Sequence, residues 1–308
     1  MRLVDFGMDT ITLAGTLEAK LRAMRAAGFT QVMLSARDVV GHPEGEQAAI
    51  AAVRASGLRV TGFQVLRDFE GLTGHLHEYR VDVAKSMLEL CQALEAPVLL
   101  VCSSTSTHAV GEIDALAADL RKLAMLAVPL RIRVAYEALS WGRYVHHLGQ
   151  AWAVVERAGH ANLGLCVDSF HVLATEGGLE ALSGIDPAKV FLAQLSDFLW
   201  SQIRSREERI ETARHSRVFP GEGVHNDLVA ELVRRLDGAG YAGDYSFEVF
   251  NDDYAQMPLA AVCARAMSSV QWLASRMPRR SLPVLRGGRA DDSGGGVSGS
   301  PSARPSSR

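Results

Sequence analysis

Eight short apolar segments alternate with amphipathic segments along most of this chain, and this alternation constrains the fold more than any other feature. In the amphipathic segments, apolar residues recur at helical spacing, as Leu17, Leu21 and Met24 do, so we predict eight strand–helix units. The predicted strands are Leu3–Phe6, Gln31–Leu34, Arg59–Phe63, Val98–Cys102, Ile132–Tyr136, Leu163–Val167, Val190–Gln194 and Tyr245–Val249.

Eight such units predict an α/β fold of the (β/α)8 TIM barrel type, formed as a single domain over residues 1–276. The competing arrangement is an open, doubly wound sheet. No Gly-x-Gly-x-x-Gly follows the first predicted strand, which disfavours the dinucleotide-binding form of that sheet. The stretch Met277–Arg308 is rich in Gly, Ser, Pro and Arg without periodicity, so we expect a disordered C-terminal tail there.

Composition narrows the class of protein. The chain has 308 residues, a net charge of −3 and 48% hydrophobic residues, as in an ordinary globular protein. No basic stripe with interleaved aromatics is present and no apolar run approaches the roughly 18 residues of a membrane span, so neither nucleic acid nor membrane is an expected partner. Met1–Asp9 lacks the apolar region of a signal peptide, and the four cysteines form no Cys-x-x-Cys pair, so we expect a cytoplasmic protein. The expected partner is a small-molecule substrate, and the sequence leaves a homo-oligomer open.

Four of the predicted strands end at an oxygen-bearing side chain: Glu137, Asp168, Gln194 and Glu248. The carboxyl ends of parallel barrel strands meet at one mouth, so these side chains should converge. An all-oxygen set favours a hard divalent metal such as Mg²⁺ or Mn²⁺, with Co²⁺ as a further candidate. A single acid at a strand end is usually a cap or an ion-pair partner, but four in register predict a metal site.

Other polar residues follow the strands and are candidates for contact with a substrate. His171 comes three residues after Asp168, where a neutral imidazole over the mouth would suit a general base or acid. Arg67 follows the third strand and could hold a carboxylate in a bidentate fork, although an ion pair with Asp68 or Glu70 is the alternative.

The longest gap between predicted strand ends, 54 positions from Gln194 to Glu248, predicts an extended loop over the mouth. Such a loop could act as a lid carrying substrate contacts, and within the stretch Arg214-His215-Ser216-Arg217 we select His215 as one of them. Arg204–Arg209 in the same loop has the composition of a solvated helix face. A serine hydrolase is disfavoured because no Gly-x-Ser-x-Gly elbow occurs.

The motifs around these residues resemble the sugar phosphate isomerase/epimerase superfamily of xylose isomerase-like barrels, and within it the bacterial 3-dehydroshikimate dehydratases. The resemblance covers residues 3–275. It is carried by Tyr136-Glu137-Ala138-Leu139-Ser140-Trp141-Gly142-Arg143, Asp168-Ser169-Phe170-His171, Gln194-Leu195-Ser196-Asp197 and Phe219-Pro220-Gly221-Glu222-Gly223. Phe63-Gln64, Arg67-Asp68-Phe69-Glu70-Gly71 and Gln194, where many epimerases carry His, favour the dehydratase branch.

This resemblance implies a divalent metal held by Glu137, Asp168, Gln194 and Glu248, with Arg67, His171 and Arg217 handling substrate. The sequence departs from the dehydratase pattern at Phe198–Thr212, which puts the substrate in doubt more than the chemistry. We also expect the dioxygenase-like second domain of some fused members to be absent, with the tail standing where it would begin.

The function we expect is a metal-dependent lyase that acts through an enolate on a keto-polyol acid, converting 3-dehydroshikimate to protocatechuate, with His171 as the base. One alternative is a keto-sugar or inosose isomerase, epimerase or dehydratase with the same metal and enediolate chemistry. In the isomerase and epimerase forms, Glu137 and Glu248 would double as acid–base groups. A second alternative, from another class, is a metal-bearing barrel that only binds a ligand.

Overall fold

The structure, a computed structural model, describes residues 5–277. Its ten strands are β1 (Phe6–Asp9), β2 (Gln31–Ser35), β3 (Arg59–Leu66), β4 (Val98–Cys102), β5 (Arg133–Glu137), β6 (Leu163–Asp168), β7 (Val190–Leu195), β8 (Asp197–Phe198), β9 (Arg217–Val218) and β10 (Asp244–Phe247). Its helices are α1 (Leu17–Ala26), α2 (Ala36–Val40), α3 (Glu46–Ser56), α4 (Gly74–Ala93), α5 (Ile113–Ala127), α6 (Leu148–Ala158), α7 (Ser169–Leu173), α8 (Arg206–His215), α9 (Asn226–Ala239), α10 (Asp252–Ala255) and α11 (Leu259–Arg276).

Eight of the strands form a closed parallel barrel in the order β1-β10-β7-β6-β5-β4-β3-β2. Closure is completed by β1, which pairs in parallel with β10 on one side and with β2 on the other. The predicted (β/α)8 barrel is therefore confirmed. The predicted tail lies outside the described residues, apart from Met277.

The first strand was predicted too early. It runs from Phe6 to Asp9, and residues 3 and 4 of the predicted strand lie outside the described residues. Pairing fixes this register, because Phe6 lies opposite Tyr245 and Met8 opposite Val32. The segment is hard to recognise in sequence because it contains a glycine and ends in a charged residue that is completely buried.

The helices cover the barrel through apolar stripes, as α1 illustrates. The Thr16 hydroxyl accepts a hydrogen bond from the Ala19 N–H and so caps the first turn. Leu17, Leu21 and Met24 then lie on one buried face. Full burial of each such side chain stabilises the fold by about 1.5–3 kcal/mol. Among residues 5–277, no helix has both the length and the apolar character needed to cross a membrane.

The long connection after β7 crosses the mouth of the barrel. It contributes β8, then α8, and then β9, which pairs antiparallel with β8 so that Phe198 lies opposite Arg217. The backbone of Arg217 is held further by its N–H donating to Phe250 O at 3.0 Å and its carbonyl accepting from Asn251 Nδ2 at 2.8 Å. This connection therefore fixes Arg217 beside the carboxyl ends of the strands.

Candidate active site

Three carboxylates converge at the mouth of the barrel. Glu137 ends β5, Asp168 ends β6 and Glu248 directly follows β10, and all three are buried. Ligand atoms of Glu137, Asp168 and His171 lie within 4.8 Å of one another, and Glu248 shares the Arg217 guanidinium with Asp168. The side chains of the strand ends thus meet where parallel strands of a barrel place them.

The charges in this cluster are poorly compensated. Burial, followed by repulsion from Glu248 and Asp168, raises the pKa of Glu137 well above its usual value. Burial and repulsion from Asp168 also raise the pKa of Glu248, although Arg217 opposes the shift. One oxygen of Glu137, Oε2, accepts from Cys102 Sγ at 2.8 Å, whereas the buried Oε1 has no hydrogen-bond partner in the described part of the chain. An unpartnered oxygen among repelling carboxylates fits a hard divalent cation.

Arg217 forms ion pairs with two carboxylates of the cluster. Its side chain is buried, with Nη1 2.7 Å from Asp168 Oδ2 and 3.2 Å from Glu248 Oε2. Its Nε donates to Ala213 O at 3.0 Å, and its guanidinium lies over the Phe170 ring at 4.5 Å from the ring centre. These contacts make Arg217 a partner of the carboxylates, so most of its hydrogen-bonding capacity is used before a substrate enters.

His171 stands against the same carboxylates at the start of α7. Its Nδ1 lies 3.1 Å from Ser140 Oγ and 3.2 Å from Ser140 N, and its Nε2 lies 3.6 Å from Asp168 Oδ2. Burial and the Arg217 guanidinium outweigh the attraction of Asp168 and lower the pKa of His171 to about 3. The ring is therefore neutral at physiological pH.

Gln194 lies opposite Asp168 on the neighbouring strand and belongs to a buried polar network. Its Nε2 donates to Asp9 Oδ2 at 2.7 Å and to Gln64 Oε1 at 3.1 Å. Gln64 Nε2 also donates to Asp9 Oδ2, at 3.1 Å, and the Ser246 hydroxyl donates to the other oxygen of Asp9. Since both acceptors bind the amide nitrogen, the amide oxygen is directed elsewhere, and Cys166 Sγ donates to it at 3.2 Å. Hydrogen bonds at both the nitrogen and the oxygen therefore fix the orientation of the Gln194 amide.

A cavity of about 620 Å³ opens above this cluster. Arg67 lines it and has no ion pair among residues 5–277, so the alternative that it pairs with Asp68 or Glu70 is not seen. Asp68 lies instead 3.7 Å from Arg80, and Glu70 accepts from Ser104 N and Tyr136 OH. A free guanidinium in the cavity wall suits a substrate carboxylate.

His215 does not line this cavity. The end of α8 leaves its ring half-exposed, with Nδ1 3.1 Å from Asp252 Oδ2, while the preceding residue, Arg214, lines the cavity. We therefore propose Arg214, and no longer His215, as a substrate contact from this loop.

The sequence analysis did not identify three further residues of the site. Asp9 carries the same signal as the other strand-end acids, but the misplaced first strand hid it. Arg37 lines the cavity from α2, a short helix that the sequence pattern does not predict. Ser140, the partner of His171, lies in an irregular loop after β5 whose conformation depends on distant contacts.

Comparison with known proteins agrees with this architecture. A family model described as the xylose isomerase-like TIM barrel matches residues 21–276, so the chain belongs to that family. It is 37% identical over 265 residues to a Pseudomonas aeruginosa protein named 3-dehydroshikimate dehydratase, an alignment that covers 86% of this chain and 41% of that protein. It is 28% identical to a Neurospora crassa protein of the same name, covering 77% of this chain and 82% of that protein.

A solved structure described as a xylose isomerase-like TIM barrel/4-hydroxyphenylpyruvate dioxygenase fusion protein superposes with a TM-score of 0.82 and 32% identity. The match covers 89% of this chain and 43% of that one. The chain thus spans less than half the length of the Pseudomonas relative and of the fusion protein.

Proposed function

We propose that this chain is a metal-dependent lyase that dehydrates a keto-polyol acid, with 3-dehydroshikimate as substrate and protocatechuate as product. The observation that carries the proposal is the convergence of Glu137, Asp168, Glu248 and neutral His171 below a cavity walled by the unpaired Arg67. The shared name of the Pseudomonas and Neurospora relatives supports this substrate. Because the chain covers 82% of the Neurospora protein, the comparison also supports an activity that resides in the barrel.

Glu137, Asp168, Gln194 and Glu248 are the residues proposed to hold a divalent ion, Mg²⁺, Mn²⁺ or Co²⁺. When bound, the ion would supply positive charge that stabilises the ketone oxygen as the neighbouring carbon loses its proton. Two features of this chain support an ion here. Glu137 Oε1 has no hydrogen-bond partner in the described part of the chain, and Gln194 lies opposite Asp168 on the neighbouring strand with its amide fixed by Asp9 and Gln64.

His171 is the proposed base. Its Nδ1 accepts from Ser140 N–H at 3.2 Å, and its Nε2 lies 3.5 Å from Arg217 Nη2 and 3.6 Å from Asp168 Oδ2. The ring must therefore exchange one of these contacts for the substrate before it takes the α-proton. The same proton can then return to the β-hydroxyl, which departs as water, and enolisation completes the aromatic ring. A positioned general base contributes about 10²–10⁴-fold in rate.

Arg67 is the proposed partner of the ring carboxylate, because its fork can form two parallel hydrogen bonds to one carboxylate. Arg37 and Arg214 line the same cavity and add positive charge around the bound acid. Arg217 neutralises carboxylates instead, since its Nη1 donates hydrogen bonds to Asp168 and Glu248. The arginines thereby divide into substrate-binding and carboxylate-neutralising groups.

The proposed reaction can be tested with the purified full-length chain, 3-dehydroshikimate and each of Mg²⁺, Mn²⁺ and Co²⁺. The expected result is the ultraviolet absorbance of a catechol, lost in His171→Gln while substrate still binds. Arg204→Gln is the matched control, because Arg204 is exposed and lies outside the lining of the cavity. Absence of a catechol with every metal would reject this substrate.

A second candidate is an isomerase or epimerase of a keto-sugar or inosose. The unpartnered Oε1 of Glu137 favours it, because a carboxylate oxygen free of partners could move a proton on the substrate face opposite Glu248. Incubation in deuterium oxide separates the two candidates. Deuterium incorporation into a keto-polyol without loss of water would support the isomerase, whereas water loss with aromatisation would support the lyase.

The proposed location is the cytoplasm. Cys91, Cys102, Cys166 and Cys263 are all free and buried. Free thiols are the expected state in a reducing compartment, where disulfides rarely persist. Cell fractionation of the native host is the test, and recovery of the protein outside the cytoplasmic fraction would contradict the proposal.

A further inference from the structure

A second cavity, of about 460 Å³, adjoins the catalytic one. Thr105 and Trp141 line both cavities, so the two are neighbours separated by these side chains. Three arginines line the second cavity: Arg143, Arg206 and Arg209. Two of them come from α8, so the Arg204–Arg209 stretch is more than the solvated helix face that its composition suggested.

The positive charge of this second cavity is not compensated by the protein. No Asp or Glu is among its lining residues, and none of the three arginines forms an ion pair within residues 5–277. This is not a general surplus of positive charge, because the whole chain carries a net charge of −3. Three like charges around one hollow repel one another unless an anion enters.

The arginines also retain unused hydrogen-bonding capacity. Arg206 uses its Nε on the carbonyl of Trp141 at 3.3 Å, which fixes the side chain and leaves the rest of the fork available. Arg209 has a buried Nε without a hydrogen-bond partner in the described part of the chain. A buried charged donor without a partner is costly, and an oxyanion against the guanidinium would offset that cost. Hydroxyl donors from Thr107 and Ser140 also line the cavity.

We propose that the second cavity is a binding site for a small oxyanion, either a phosphate or a carboxylate group. Arginine forks match both groups because each presents two oxygens at the spacing of two parallel N–H donors. The proposal does not depend on the reaction carried out in the catalytic cavity. Since Ser140 contacts His171 and also lines the second cavity, an anion there would lie next to the partner of the proposed base.

The test is calorimetric titration of the full-length, Mn²⁺-loaded chain with inorganic phosphate, and separately with benzoate, at an ionic strength held constant with chloride. Arg209→Gln and Arg143→Gln are each expected to weaken binding by about tenfold or more, the effect of losing one charged hydrogen bond. Arg204→Gln, on the same connection but outside the cavity lining, should bind as the wild type does. Far-ultraviolet circular dichroism confirms that each variant is folded.

Arg37→Gln separates the two cavities, because Arg37 lines only the catalytic one. Phosphate binding that survives Arg37→Gln, survives chelation of the metal and is lost in Arg209→Gln supports the proposal. Tighter binding of phosphate than of benzoate would identify a phosphate ester as the source of the oxyanion, and the reverse a carboxylic acid. The proposal is overturned if neither probe binds, if binding needs the metal, or if only Arg37→Gln abolishes it.

Discussion

Arg217 Nη1 lies 2.7 Å from Asp168 Oδ2, and both side chains are almost completely removed from solvent. The pair joins the end of β6 to the connection that crosses the barrel mouth, across 49 positions of sequence. It supplies one positive charge to a cluster that contains three carboxylates, Glu137, Asp168 and Glu248. A divalent ion at the cluster would complete the compensation that Arg217 begins.

Replacing Arg217 with Gln should destabilise the metal-free protein by about 3–5 kcal/mol, because it leaves buried carboxylates without their partner. Saturating Mn²⁺ should restore part of this loss and raise the melting temperature of the variant more than that of the wild type. Arg214→Gln is the control, since Arg214 lines the cavity without an ion pair in the described structure. Equal destabilisation with and without metal would contradict the shared role of Arg217 and the ion.

Replacing Glu137 with Gln should have opposite effects on stability and on metal binding. The substitution removes a buried carboxyl group whose charged form Glu248 and Asp168 repel, so the metal-free variant should be more stable than the wild type. Because the folded-state pKa of Glu137 is raised, the penalty is absent at low pH and grows as pH rises above the unfolded value, so the gain should be larger at pH 8 than at pH 5. Urea unfolding and metal titration together measure both effects.

For Glu137→Gln, an amide in place of a carboxylate should also weaken divalent-ion binding. A variant that is both less stable and equally able to bind metal would show that Glu137 has an ordinary structural role.

Replacing Asp9 with Asn should weaken binding of a divalent ion by about 10–100-fold, the usual effect of removing a residue that orients a ligand. The Asp9 carboxylate accepts from Gln194 Nε2 and so fixes the orientation of the amide, whereas an Asn side chain can let the amide turn over. Competition with a fluorescent chelator gives the dissociation constant. Ser269→Ala, which removes a buried hydroxyl bonded to Pro220 O, is the control. Unchanged metal affinity in Asp9→Asn would show that Asp9 does not orient the Gln194 amide for metal binding.

Glu70 should make the protein less stable as pH rises from about 4.5 to 7. Burial raises the pKa of Glu70 from 4.5 to about 7, so the folded state holds a proton that the unfolded state releases. The resulting penalty is complete above the folded value and amounts to about 3 kcal/mol. Glu70→Gln should flatten this dependence, because the amide oxygen can still accept from Ser104 N and Tyr136 OH.

The Glu70 prediction is measured by urea unfolding of both proteins at pH 5, 6, 7 and 8. Glu44→Gln, at an exposed position, is the matched control. Parallel pH profiles for the wild type and Glu70→Gln would show that burial does not hold a proton on this side chain.

Residues at strand ends were predictable because the carboxyl ends of all parallel strands lie at the same mouth of a barrel. Glu137 and Asp168 each end a strand that the hydrophobic pattern marks clearly, so their convergence followed from counting strands. Asp9 does the same on β1, but Gly7 and the buried charge itself disguise that strand. The end of β1 was missed because its hydrophobic pattern is weak, although Asp9 does lie at a strand end as the barrel geometry requires.

Residues in the connection after β7 were harder to predict. Which of Arg214, His215 and Arg217 faces the cluster depends on how α8 ends and on the β8–β9 pairing. Those contacts join positions far apart in sequence, and no local period encodes them. The sequence therefore located the connection over the mouth but selected His215 where the structure brings Arg214 to the cavity.

The most direct test of this account is a crystal structure of the Mn²⁺-loaded chain with anomalous data collected at the manganese edge. We expect a single strong peak at the barrel mouth, within bonding distance of Glu137, Asp168, Gln194 and Glu248. No peak at the barrel mouth, or an ion bound elsewhere while these carboxylates keep only Arg217 as their cation, would contradict it.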